Sequence, residues 1–222
     1  MSFLSYLING VSLGSIYAII ALGYTRVYGI AKMLNFAHGD VIMIGAFVVL
    51  NALNVMNLPV IPAILVAVVG CTVLGVVIER VAYRPLRNAS SPLAVLITAI
   101  GVSYLLQNIA LLIFGADTVS FPNRITLPAL SLADGNLVIS SVTIVTIVAC
   151  IVIMAGLILF INKTKAGQAM LAVSEDKGAA QLMGINVDGT IALTFAIGSA
   201  LAAIAGFLLC TAYPSLNPHT GS

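Results

Sequence analysis

"AVLITAIGVSYLLQNIALLIF" (Ala94–Phe114) runs for 21 residues without a charge. At about 1.5 Å per residue, a helix of that length crosses a hydrocarbon core of about 30 Å. Its few polar residues fall on two faces. Thr98, Gly101, Tyr104 and Asn108 lie within about a third of the circumference at roughly 100° per residue, and Ser103 and Gln107 share another. A polar side chain left unsatisfied in hydrocarbon is costly, so both faces are expected to meet protein or water. The residues leave two readings open, hydrogen bonding between helices and the lining of a polar path.

The same character recurs outward from this stretch. Helices are expected near residues 3–28, 41–56, 60–78, 92–114, 140–161 and 190–212. Of the 222 residues, 61% are hydrophobic and 7% charged, with mean hydropathy +1.16; a soluble domain carries about a quarter charged residues. The reading is an all-α polytopic membrane protein, one transmembrane domain over 1–222 with about six transmembrane helices in contact with lipid. A net charge of +2 gives no reason to expect a nucleic-acid partner. The first apolar run lacks the basic start and small-residue cleavage site of a secretory signal and is read as retained. Cys71, Cys150 and Cys210 stand alone in apolar runs, without metal-site or disulfide spacing, and are expected to be small packed side chains.

The few charges set the orientation. "ERVAYRPLRN" (Glu79–Asn88) holds Arg80, Arg84 and Arg87; the segment 162–189 holds Lys163, Lys165 and Lys177. Both are expected on the cytoplasmic side. The loop 115–139 has only Arg124 against Asp117 and Asp134, with Pro122, Pro128 and the turn "ADGN", and suits the outside. Counting back places the N-terminus outside and "NFAHGD" (Asn35–Asp40) toward the cytoplasm, unless a re-entrant helix near 29–40 changes the count. Small residues four apart (Gly10, Gly14, Ala18; Ala63, Ala67, Cys71, Gly75; Gly198, Ala202, Gly206) predict close helix packing.

"NFAHGD" is unusually polar for its setting. One reading is a turn followed by a helix that Asp40 caps; the other is a helix interrupted beside a path, its N–H groups and side chains facing a polar solute. Arg26, near the end of the first span, either snorkels to the interface or pairs with Asp40. In 162–189, Ala169, Ala172, Val173, Ala179, Ala180 and Met183 are spaced for one face of a short amphipathic helix. Such a helix rests on headgroups or docks on a soluble partner.

"GAAQLMG" (Gly178–Gly184) resembles the core of the EAA loop in permease subunits of bacterial ABC importers, with Gly178 where that motif has Glu. "INGVSLGSIYAIIALGYTRVYG" (Ile8–Gly29), "NFAHGD", "ERVAYRPLR" and "AVSEDKGAAQLMGINV", in this order, resemble the shorter permease subunit of branched-chain amino acid ABC importers. Arg26 stands where that family looks apolar. The resemblance implies further helices after "LNPHTG", so that the sequence is expected to be a C-terminally shortened piece.

It also implies a function: import of leucine, isoleucine and valine across the bacterial inner membrane by alternating access. The implied partners are a second permease subunit, two cytoplasmic ATPase subunits and a periplasmic substrate-binding protein. The chain has no GxxxxGK[ST] loop, so no cofactor is expected on it; ATP would be used by the partners, and no enzyme chemistry is expected. Candidate path residues are Asn35, His38, Asp40, Thr98, Tyr104 and Asn108. Within the cytoplasmic coupling loop, 162–189, the candidates for ATPase coupling are Glu175, Ala179, Ala180, Gly184, Ile185 and Asn186. A same-family permease for urea or short amides and an ion-coupled secondary amino acid transporter are the alternatives.

Overall fold

The computed structural model describes residues 2–87, 92–121, 130–132 and 137–221. Helices α1 (Ser2–Ala31), α2 (His38–Asn54), α3 (Val60–Ile78), α4 (Pro92–Phe114), α5 (Ser141–Lys163), α6 (Lys165–Glu175), α7 (Lys177–Leu182) and α8 (Val187–Ala212) follow in order. Among the described residues five helices are long and apolar enough to cross a membrane, and α2 is a shorter apolar sixth. The chain is an all-α polytopic membrane protein. Two short antiparallel pairs decorate one end: β1 (Val119–Ser120) with β4 (Ser215–Leu216), and β2 (Leu130–Leu132) with β3 (Leu137–Ile139). Arg124, Pro122, Pro128, Asp134 and the "ADGN" turn lie outside the described residues.

Helix α8 is the centre of the bundle, packed against α1, α2 and α3. Small residues make this possible. A Cβ on Gly206 would stand 2.4 Å from the Ile42 carbonyl oxygen, and one on Gly75 would stand 2.0 Å from Ser199 Oγ. In lipid no hydrophobic drive pulls helices together, so such close backbone approach supplies the packing contacts. The small stripe expected on α8 therefore does its work at Gly198, Ala202 and Gly206, all buried, and Cys71, Cys150 and Cys210 are buried too. Gly10 and Gly14, by contrast, meet nothing within 4 Å. Outward faces carry exposed Val69, Leu112 and Val152, as a lipid-facing surface requires.

Three elements depart from the sequence reading. The second helix starts at His38, not 41, so the polar cluster forms its first turn. The third does not stop at 78: it continues as a π-helical turn, Glu79–Tyr83, and a 3₁₀ turn, Arg84–Leu86. Pro85 explains this, because it has no N–H to return to Val81 and its ring crowds that carbonyl, so the helix must widen or tighten around it. The single amphipathic helix expected within 162–189 is broken at Asp176, whose carboxylate caps α7 by accepting from the N–H groups of Gly178 and Ala179. Met170 and Val173 of α6 and Ala180 of α7 are buried, whereas Met183 is exposed.

Candidate translocation site and coupling end

The Lys177 ammonium donates to the Ala31 carbonyl at 2.8 Å, which puts the end of α1 beside the 162–189 segment. From there the chain turns back. His38 sits against Gly23 of α1: a Cβ at Gly23 would stand 2.9 Å from the imidazole Cε1. Eight residues separate Gly23 from Ala31, so α2 begins about 12 Å inside the bundle. Residues 32–37 turn the chain back along α1, and α2 runs for 17 residues. The polar cluster "NFAHGD" thus spans this return and the first turn of α2.

The capping expected of Asp40 is not made from the position before the helix. The residue preceding α2 is Ala37, which offers no side-chain cap. Asp40 is 1% exposed and accepts from Gln107 Nε2 of α4 at 3.0 Å. Gln107 also reaches Ser103 Oγ at 3.3 Å. A buried carboxylate needs such donors to offset lost hydration. Asn35 Oδ1 accepts from the Tyr83 hydroxyl at 2.9 Å. The His38 imidazole bonds the Ile20 carbonyl, and its Nε2 is buried without a partner.

Beside these residues lies a cavity of about 560 Å³, lined among others by Tyr17, Tyr24, Asn35, His38, Leu209 and Thr220. Small-molecule sites measure roughly 300–1,000 Å³ and combine apolar walls with a few polar groups. The turn 217–221 closes on the start of α2 here: a Cβ on Gly39 would stand 1.8 Å from the Gly221 carbonyl oxygen, so only glycine permits the approach.

On α4 the expected face points outward. Tyr104 and Asn108 are exposed and Thr98 half-buried; Asn108 satisfies itself on the Tyr104 carbonyl at 2.7 Å. The inward face is that of Ser103 and Gln107. Arg26 does not pair with Asp40; it lines a groove with Lys32 and Glu175 between α1 and α6.

The coupling candidates gather at the opposite side of Ala31. Glu175 ends α6 and is exposed; Ala179 is exposed and Ala180 buried on α7. Gly184 adopts φ +81°, a left-handed conformation that glycine takes without penalty. It lets the Ile185 N–H return to the Ala180 carbonyl at 3.0 Å, ending α7. Asn186 then caps α8 by accepting from the Gly189 N–H. Leu182 and Met183 project here, 90% and 83% exposed. Their position just before a helix-ending glycine was the available signal for them.

Above α7, Arg87 bonds both Glu79 and Asp188, and Arg84 bonds Asp188 at 2.7 Å. Burial, with Arg87 and Lys32 nearby, pushes the Lys177 ammonium below its ordinary pKa. No group of three or more metal-ligating residues occurs among the described residues.

Residues 6–222 match the family model described as the branched-chain amino acid transport system / permease component. The chain belongs to this permease family. It is 44% identical over 237 residues to the high-affinity branched-chain amino acid transport system permease protein LivH of Escherichia coli K12, covering 99% of this chain and 74% of that protein. To BraD of Pseudomonas aeruginosa, a permease protein of the same description, it is 42% identical with the same coverage. To the probable branched-chain amino acid transport permease protein LivH of Methanocaldococcus jannaschii it is 31% identical over 88% of this chain. No solved structure matches the chain. The permease is thus a multi-pass membrane component of a transport system.

Proposed function

We propose that this permease is the membrane-spanning subunit of an ATP-driven importer for leucine, isoleucine and valine in the bacterial inner membrane. A second permease subunit would complete the path. Two ATPase subunits would dock on α7 and its exposed Leu182 and Met183, and a periplasmic binding protein would deliver the amino acid. The observation that supports this reading is the return to α2: it sets Asn35 and His38 in the lining of a cleft, with Asp40 buried next to them, as a polar route for a zwitterion requires.

The role of the chain is to bind weakly and to move. The buried polar groups offset part of the lost hydration of an ammonium and a carboxylate, and the apolar wall accommodates a branched side chain. No covalent step is needed; closure of the ATPase pair supplies the work through α7.

Labelled leucine uptake tests this in cells that lack their own carriers and express the complete transporter, with a protonophore present and ATP held constant. Uptake is expected to persist without the proton gradient and to vanish when the ATPase is inactivated. Uptake that collapses with the gradient refutes it.

A further inference from the structure

The π-helical turn Glu79–Tyr83 is tied at both ends. At Glu79, 1% exposed, the carboxylate is held by Arg87, which also bonds Asp188 in the first turn of α8. At Tyr83, fully buried, the hydroxyl donates to Asn35 and the ring lies 5.2 Å from Phe195 of α8. Between them the Arg84 N–H reaches back five residues to the Glu79 carbonyl. π-turns are rare and tend to sit at functional positions because they shift helix register. If this turn reverted to α geometry, everything beyond it would rotate about the α3 axis, and the Arg87 and Asn35 bonds would no longer both fit.

From these contacts we propose that Arg87 and Tyr83 are positioning residues, through which the coupling segment sets whether Asn35 is held or released at the cavity. The segment acts at two points. Lys177 bonds the end of α1, and Asn186, which caps α8, is two residues from Asp188. A displacement of α7 moves Asp188 and therefore Arg87. The proposal requires the π-turn to take a second arrangement, as such coupling does. The inference rests on the proposed function and adds the residues that link its two ends.

The test uses the complete transporter in proteoliposomes, with Phe36→Cys as a reporter. Phe36 is half-exposed and neighbours Asn35, and the three native cysteines are buried. The rate of labelling by a water-soluble maleimide is read with and without ATP, alongside ATP hydrolysis and leucine import. In the reporter parent, ATP is expected to change the labelling rate. Tyr83→Phe keeps the ring and removes one hydrogen bond, enough to shift a two-state equilibrium by about 3–10-fold.

Arg87→Lys keeps the charge and loses the fork that spans two carboxylates. Both variants are expected to shrink the ATP-dependent change in labelling and to import less leucine per ATP hydrolysed, with the ATPase subunits still bound and the KM for ATP unchanged. A full labelling response in Tyr83→Phe overturns the proposal, as does a parent whose labelling ignores ATP. Loss of bound ATPase from both variants also overturns it, because it assigns them to docking. Leucine import by the parent reports on the proposed function separately: its failure with an intact labelling response removes the cargo, not the linkage.

Discussion

The buried Asp40 leans on Gln107 and Ser103. The Gln107 amide reaches a carboxylate that is 1% exposed and that Ser103 also bonds, so Gln107→Leu removes one of two side-chain donors to a buried acceptor, at a cost of about 1–3 kcal/mol. The variant is expected to lower the unfolding midpoint of the purified permease in detergent and to impair uptake, whereas Asn108→Leu, on the exposed face of the same helix, is expected to leave both nearly unchanged. Asn35, His38 and Asp40 were legible in the sequence because polar residues are conspicuous in so apolar a chain. The choice of face on α4 was not. Periodicity places Tyr104 with Asn108 and Ser103 with Gln107, but which pair looks inward is decided by where α2 stands, and that is tertiary information.

At the scale of elements, α7 shows what a single backbone angle contributes. Gly184 ends the helix at φ +81°; placing alanine there costs roughly 1–2 kcal/mol, and proline, whose ring fixes a negative φ, cannot adopt it. Gly184→Ala is expected to weaken and Gly184→Pro to abolish co-purification of the ATPase subunits, with membrane insertion of the permease intact by fractionation. Equal ATPase recovery in all three proteins would show that α7 is not the docking element. The spans themselves were readable from apolar length. The extension of α3 past Ile78 was not, because "ERVAYRPLR" is polar enough to resemble a loop; Pro85 was the clue, and it marks a distorted turn as readily as an end. The break at Asp176 follows the same logic, since an Asp that caps one helix ends the one before it.

For the whole molecule, the decisive property is that α8 is central and narrow. A side chain at Gly206 would meet the backbone of α2, not a side chain that can turn aside, so Gly206→Leu must separate the two helices. Overpacking of this kind costs about 1–3 kcal/mol or more. The variant is expected to purify poorly and to melt earlier, and Gly10→Leu, which meets nothing within 4 Å, is expected to behave as the parent. The stripe of small residues on α8 was visible in the sequence. That it surrounds the core, while the similar stripe on α1 at Gly10 and Gly14 faces away, depends on the order in which the helices assemble.

The narrowness of α8 also predicts how the protein tolerates change. In a saturation library scored for growth on leucine as sole source of that amino acid, intolerance should not track hydrophobicity. Large apolar replacements would be purged at Gly198, Ala202, Ala203 and Gly206 and accepted at Val69, Leu112 and Val152, so the densest run of lethal positions would trace one thin line along α8, joined by Gly75 and Gly39 where other segments come close.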